Sequence, residues 1–488
     1  MNELKNQQVF SIENIKKQLN HTEDLKDREV NINDVTYIIL YISPLVDQEK
    51  LESKVIEPLI KMEHNDILNE LYSKEIKIIS NNEEAICGIL DGYCLLLKKE
   101  NYHEGFLLDV TETIGRVVSE PLTEKTLLGA HEGFVESLDK NIYLLRKRVK
   151  IPGFTVKKYI LGSKVPTDVS LIYVNQLVNP EIIKKVEERL KSISLDFIRS
   201  PGDIQDCIED QTFSPFPQLL DTELPERAAS NLKDGRIALV IDGSPKAFIL
   251  PVIFSVFFQS PDDYSSRWEL GSFFRILRLS GYINALILPA LYIAIVTYHY
   301  EVIPTELVYS FQSSLSFVPF RPIIELMGMQ FTFELLREAS IRLPTSIAST
   351  FGIVGALVVG TAMVEAGFVS YGGLIIVALT AVSSFVQPNI EMSSSIRVLG
   401  FPLMIMAGMF GFLGIMLGVL LILIHLSRLT SFGVPYFSPF APLKVHEFKD
   451  TIIRVPVWMK GDHPKSSSRI QKGKMEREWK LNESEDPY

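Results

Sequence analysis

Apolar and polar residues alternate in two regimes along this chain. From Val35 to about residue 240, short apolar runs are separated by polar stretches; from Leu279 to Ser427 the apolar positions are nearly continuous. In the first regime Val35–Ile42 has the pattern of a buried strand and Asp47–Glu70 that of a helix. Glu75–Ser80 and Ala85–Leu97 read as strands, with Asp91-Gly92 as a hairpin turn signal, and Phe106–Val110 predicts another strand. Leu127–Lys150 predicts an amphipathic connecting helix whose terminal run Arg146-Lys147-Arg148 is a solvated helix end. A second unit follows, with strands over Lys157–Leu161, Asp168–Val174 and Ile237–Ile241 and a helix over Pro180–Ser192. This mixture predicts two small α/β or α+β subdomains, at 31–126 and 151–245, joined by 127–150 and preceded by a flexible segment at 1–30.

A helix crossing about 30 Å of hydrocarbon needs roughly 20 largely apolar residues. Four charge-free windows meet that length: Leu279–Tyr300, Leu343–Val364, Ala366–Ile390 and Val398–Ser427. The expected fold is therefore a soluble α/β (or α+β) N-terminal region of two subdomains, then an all-α polytopic membrane domain over 246–430 and a cytosolic tail at 431–488. Ala247–Pro261 and Leu307–Phe320 are apolar but short, and read as interfacial or re-entrant elements. Glu334, Arg337 and Glu338 fall at i, i+3 and i+4 in the mixed stretch that follows, which reads as an amphipathic helix along the membrane surface or against the protein. Arg267, Arg275 and Arg278 precede the first window, and Arg428 with the Lys-rich tail follows the last. The positive-inside preference puts both on the cytosolic side, leaving Arg321, Arg337, Arg342 and Arg397 on the other.

Charge follows the same division. The 488 residues are 47% hydrophobic and 22% charged, and residues 241–440 hold 9 Lys/Arg and 11 Asp/Glu of totals of 49 and 59. Residues 1–240 carry 30 basic and 40 acidic side chains, an acidic balance that argues against nucleic-acid binding. Three cysteines, Cys87, Cys94 and Cys207, suit reduced thiols rather than a disulfide framework. Met1–Lys17 has no apolar run of signal-peptide type, which keeps the N-terminal region in the cytosol. No phosphate-binding glycine loop, GxSxG or HExxH is present and the eight histidines are scattered, so neither an enzyme, a cofactor nor a metal site is expected.

The second window carries Gly352, Gly355, Gly360, Ala362, Ala366 and Gly367. Small residues at such spacing let helices approach closely, either within one chain or around an oligomer axis where the helix lines a pore. Glu365 ends the run, either as a vestibule charge favouring cations or as a helix-end side chain at headgroup level. The pore-lining candidates are Gly355, Val359, Gly360, Met363 and Glu365. Val359 and Met363, at i and i+4, share a face suited to a hydrophobic gate. Glu334, Arg337 and Arg342 are candidates for coupling to partners.

Several ordered motifs resemble one family. SPFPQ at Ser214–Gln218, GRIALVIDGSP at Gly235–Pro245, FFQSPDDY at Phe257–Tyr264, LPALYIAIVTYH at Leu288–His299 and FELLREASIRLP at Phe333–Pro344 are among them. So are IPTEL at Ile303–Leu307, GIVGALVVGTAMVEAGFVS at Gly352–Ser370 and GFVESLDKNIYLLRKR from Gly133. They resemble the A-subunits of GerA-family spore germination receptors from about residue 30 to about residue 445. The resemblance implies a multi-pass protein of the spore inner membrane, working with a transporter-like, nutrient-binding B-subunit and a C-subunit lipoprotein. It further implies a homo-oligomer, a pentamer in the family's pattern, forming a nutrient-gated ion channel that starts germination; the alternative is a scaffold subunit with ion flux carried elsewhere. Leu128-Gly129-Ala130 departs from the family's Arg-Gly-Pro, Leu326–Gln330 lacks a usual Glu, and Ser340 stands where an Ala-Gly pair is usual.

Overall fold

The computed structural model describes residues 10–32, 35–61, 76–99, 101–113, 120–121, 131–344 and 358–444, with shorter pieces at 123–124, 126, 128–129, 347, 448 and 450–456. The first subdomain opens with helix α1 (Ile12–Gln18), capped by Ser11 Oγ accepting from Asn14 N. Strands β1 (Leu25–Ile32), β2 (Val35–Ile42), β3 (Ile76–Ile79), β4 (Tyr93–Lys98) and β5 (Asn101–Asp109) form a sheet in the order β1-β2-β4-β5-β3, antiparallel throughout. The segment expected to be flexible thus holds a helix and a strand. β1 escapes a periodicity reading because it is an edge strand whose charged side chains are largely exposed.

Ala85–Leu97 is not a hairpin. Asn81 Oδ1 accepts from Glu84 N at 2.7 Å and starts helix α2 (Asn82–Asp91), which Gly92 ends in the left-handed region at φ 94°. Asp91-Gly92 is therefore a helix stop before β4, and a side chain at Gly92 would strain that backbone. Of the helix expected over Asp47–Glu70, a helical run through Gln48–Leu51, Glu52–Ile56 and Glu57–Ile60 is present, while 62–70 lies outside the described residues. Leu51, Val55 and Leu59 of that run bury against Tyr37, Ile39 and Leu96 on one face of the sheet, and Ile86 and Ile89 of α2 cover Leu95 and Leu107 on the other.

Helix α3 (Leu138–Arg148) is shorter than the predicted connection. Arg146, expected in solvent, is 2% exposed. Its Nε and Nη2 donate to Asp24 Oδ2 and Oδ1 at 2.6 and 2.7 Å, and its guanidinium lies 4.6 Å from the Phe154 ring. The second sheet comprises β6 (Phe154–Leu161), β7 (Thr167–Val174), β8 (Leu220–Thr222), β9 (Ile237–Ile241) and β10 (Ala247–Leu250), in the antiparallel order β6-β7-β9-β10-β8. Helices α4 (Pro180–Ser192) and α5 (Pro201–Ile208) pack on one face, α3 and α6 (Pro225–Lys233) on the other. Antiparallel pairing makes both subdomains α+β. Ala247–Pro261 is no re-entrant element: β10 pairs with β8 and β9, and Phe254–Phe258 forms a buried turn beyond it. Its apolarity reflects a central strand buried on both faces.

The remaining chain is helical: α7 (Trp268–Tyr298), α8 (Thr305–Ser316), α9 (Pro322–Ile341), α10 (Tyr371–Phe385), α11 (Ile390–Phe410) and α12 (Phe412–Arg428). Among the described residues two helices are long and apolar enough to cross a membrane, α7 with 31 residues and α11 with 21; α10 and α12 are apolar but shorter. The window Val398–Ser427 is not one span, because Gly411 at φ 59°, ψ −137° breaks it and α12 folds back on α11. Ala366–Ile390 shrinks to the 15 residues of α10, bounded by the Ser370 cap and by Pro388 before the next helix. Most of Leu343–Val364 lies outside the described residues; 358–365 is helical.

Of its two expected settings, helix α9 takes the one against the protein. Its first turn meets the far end of α11, with Ile323 against Gly408, and Glu325 bonds to Ser370 before α10. Its last turns meet the end of α10, with the Arg337 guanidinium 5.0 Å from the Phe385 ring, and Glu334 pairs with Arg397 near the start of α11. It therefore runs beside α10 and antiparallel to α11. Glu334 pairs and Arg337 stacks inside the bundle, whereas Glu338 pairs with Arg342 on the exposed side.

Candidate functional site

The soluble region passes into α7 through Phe257–Tyr264, and this passage forms the most highly charged buried site of the described residues. Asp263, 1% exposed, is its centre. Its Oδ2 accepts from Ser260 N at 3.2 Å, Arg278 Nη1 at 2.8 Å and Arg275 Nε at 3.4 Å, while Oδ1 accepts from Arg278 Nη2. Arg275 and Arg278 stand one turn apart on the same face of α7, so one carboxylate reaches both. Arg278 Nη1 also donates to Phe258 O at 2.6 Å, and its own carbonyl accepts from Gln387 Nε2 at 2.7 Å in the α10–α11 turn.

The tail closes this site. Asp450 O and Oδ1 accept from Arg275 Nη1 at 2.6 and 3.2 Å, and Gln259 Nε2 donates to Asp450 O at 2.9 Å. Arg454 donates to the carbonyls of Asp263, Ser266 and Tyr264, and its own carbonyl accepts from Ser272 Oγ at 3.0 Å. Four segments thus converge on one charge network: the exit of the second subdomain, the start of α7, the α10–α11 turn and the tail. Arg275 and Arg278 share the Asp263 carboxylate, Arg275 also meets that of Asp450, and Arg454 joins through backbone carbonyls. The buried carboxylate is costly in isolation, and bidentate pairing with arginine offsets that cost.

A second contact seats the other helix ends on the same subdomain. Ser214 Oγ lies 2.8 Å from His425 Nε2 near the end of α12, and the Phe216 and His425 rings stack at 6.0 Å. Ser395 of α11 donates to Pro215 O, and Asn389 Nδ2 donates to Asp221 Oδ1 at 2.9 Å. Beside them Glu209 is largely buried; burial raises its pKa above the ordinary carboxylate range, although Gln205 Nε2 and Gln218 N both donate to it.

Within the bundle, Glu325 Oε1 accepts from Ser370 N and Oγ at 2.7 and 2.5 Å, and Ser370 Oγ lies 3.1 Å from Tyr292 Oη, joining α9, α10 and α7. Of the coupling candidates, Glu334 pairs with Arg397 at 3.0 Å and Arg337 covers Phe385, both within this chain. Arg342 is exposed and pairs with Glu338 at 2.7 Å. Arg337 and Arg397, assigned from charge bias to the far side, lie at the end of the bundle nearer the soluble region. Pairing and stacking decide their position.

Of the pore candidates, Gly355 lies outside the described residues. Gly360 is buried on Leu374 of α10, Val359 and Met363 are half-buried, and Glu365 is exposed. The structure does not bring them onto one face. Val358, Thr361, Ala362 and Glu365, at i, i+3, i+4 and i+7, form the exposed stripe of this helix. Sequence reasoning missed Asp263, Asp450, Arg454, Glu325 and Ser370 as site residues. The Asp262-Asp263 pair just ahead of Arg275 and Arg278 was a usable signal; no local pattern ties Asp450 or Arg454 to it.

Comparison with known proteins places these features. The family described as Bacillus/Clostridium GerA spore germination protein matches residues 13–466. Spore germination protein KA of Bacillus subtilis is 36% identical over 481 residues, 96% of this chain and 88% of that one. Spore germination protein A1 of the same organism is 36% identical over 444 residues, covering 90% of this chain and 92% of its own. The crystal structure of the N-terminal domain of the A subunit of the Bacillus megaterium spore germinant receptor GerK3 aligns with 50% of this chain and 94% of that one, at 25% identity and a TM-score of 0.38.

Proposed function

Because the chain belongs to the GerA family of spore germination proteins, we propose that it is the A-subunit of a nutrient-responsive germinant receptor in the spore inner membrane, acting with a nutrient-binding B-subunit and a lipoprotein C-subunit. Copies of it assemble around an axis, and the helix containing residues 358–365 lines the ion path. The bundle crosses the membrane several times. The ends of α7, α10, α11 and α12 that meet the second subdomain are its cytosolic ends, and the docked tail shares that side.

One observation carries the channel reading. The outward stripes of neighbouring helices are bulky and apolar, as lipid-facing surfaces are: Ile375, Leu379 and Val382 on α10, Leu413, Met416 and Leu420 on α12. The outward stripe of 358–365 is Val358, Thr361, Ala362 and Glu365, small and partly polar and ending in a carboxylate. A carboxylate is costly against lipid and at home facing water; a ring of such groups favours cations. The B-subunit's nutrient shifts the assembly toward the open state by binding that state more tightly.

Potassium release from spores carrying Ala362→Trp, at matched levels of receptor complex, tests this. The channel reading predicts lost release with the complex intact. Normal release would shift the assignment to a scaffold subunit. Gly360→Trp is the poorer probe, because its side chain would strike Leu374 and disturb assembly as well.

A further inference from the structure

Beside the charge network at the start of α7 lies a cavity of about 20 Å3, with Arg275 in its wall. Its wall is mostly apolar, built by Phe254, Phe258, Phe440, Leu279 and Ile452, with Ser255, Arg275 and Thr451 as its polar members. Arg275 and Ser255 are 1% and 3% exposed, and among the described residues Arg275 Nη2 and Ser255 Oγ have no hydrogen-bond partner. A guanidinium nitrogen can only donate, and a serine hydroxyl can turn its hydrogen toward an acceptor, so both residues offer donors to whatever fills the cavity. A buried donor without a partner is costly, and more so on a charged group.

We propose that this cavity is a binding site for one small monovalent anion of the halide class, held by Arg275 Nη2–H and Ser255 Oγ–H. Charge supports the sign. The free donor on Arg275 belongs to a cation, and Arg454, the third guanidinium of the network, bonds among the described residues to backbone carbonyls rather than to a carboxylate. Arg146 also carries a buried Nη1 without a partner, but there Asp24 neutralises the guanidinium one for one. Volume supports the size: the cavity holds a water or a single halide and is too small for a tetrahedral phosphate. Ser255 belongs to the exit of the second subdomain and Arg275 to α7, so the bound anion bridges the soluble region and the first helix of the bundle. Its occupancy stiffens that junction.

The test is thermal unfolding of the purified full-length chain in detergent, at fixed ionic strength, in sodium chloride, bromide, gluconate and phosphate. The midpoint should rise by several degrees, saturably, with chloride and bromide and stay level with gluconate and phosphate. Ser255→Ala should have the native midpoint in gluconate, which shows that it folds, and should need about tenfold more halide for half the rise, the loss expected for one hydrogen bond. Equal midpoints in all four salts, or an equal halide response in native and Ser255→Ala proteins, would mean that water satisfies the two donors and would overturn the proposal. A rise confined to phosphate would also overturn it, in favour of an oxyanion such as a lipid headgroup.

Discussion

Two buried arginine–aspartate sites hold this molecule together, and they differ in balance. In the soluble half Arg146 meets Asp24 through two parallel hydrogen bonds, with Thr22 Oγ1 at 3.2 Å and Phe154 beneath the guanidinium. The charges cancel, and the site joins the segment ahead of β1 to α3 and the second sheet. At the start of α7, Arg275 and Arg278 share Asp263, Asp450 of the tail adds a second carboxylate on Arg275, and Arg454 of the tail bonds, among the described residues, to backbone carbonyls. The first site fastens two neighbouring layers. The second ties the bundle to the soluble region through the Asp263 carboxylate and brings in the tail through Asp450 on Arg275 and Arg454 on the Asp263 carbonyl, so it joins three parts of the molecule.

Removing the shared carboxylate should have the largest effect. Asp263→Ala leaves Arg275 and Arg278 buried without it, a change of about 3–5 kcal/mol, and should abolish recovery of folded full-length protein. Asp24→Ala costs a similar amount at the balanced site. It should open the soluble region to protease while leaving the tail protected, and equal cleavage of the tail in both variants would erase the distinction drawn here. Arg454→Ala removes the guanidinium that bonds the carbonyls of Asp263, Tyr264 and Ser266 and should cost about 1–3 kcal/mol, read as faster tryptic release of the tail with the rest intact.

A smaller effect is expected at the helix seat and depends on pH. Burial raises the Glu209 pKa in the folded chain, so its ionised form is disfavoured there. The protonated group is tolerated fully below the ordinary carboxylate pKa, and stability is lost as pH rises through the raised value. Glu209→Gln keeps an acceptor for Gln205 and Gln218 without the charge. It should raise the unfolding midpoint at pH 8 by about 1–2 °C and leave it unchanged near pH 4; a lower midpoint at pH 8 would contradict the sign. Least of all, Arg342→Ala at the exposed pair with Glu338 should leave the midpoint unchanged within error.

Elements whose own side chains determine them were legible in the sequence. Val35–Ile42, Pro180–Ser192 and Ile237–Ile241 occur with the bounds their patterns suggest, since each buries a periodic or continuous apolar set. Where several structures suit one pattern, the reading went astray. Asp91-Gly92 serves a helix stop as well as a hairpin, and which one forms depends on Asn81 ten residues upstream. Ala247–Leu250 is as apolar as a membrane element, yet its neighbours are β8 and β9. The long run Val398–Ser427 contains no proline after Pro402 and reads as one helix; only the backbone at Gly411 shows the break. The charge network was least legible, because Asp450 and Arg454 lie some 175 to 190 residues from the groups they meet, beyond any local period.

The most direct test of the channel reading is a single-cysteine scan of 358–365 in a background with Cys87 and Cys207, the exposed native thiols, replaced. Each variant would be treated with a charged thiol reagent during nutrient-triggered potassium release. The account predicts block at Val358, Thr361, Ala362 and Glu365 and none at Val359, Gly360 or Met363. Block on the second set with release unaffected on the first would contradict it, and would turn the opposite face of this helix toward the ion path.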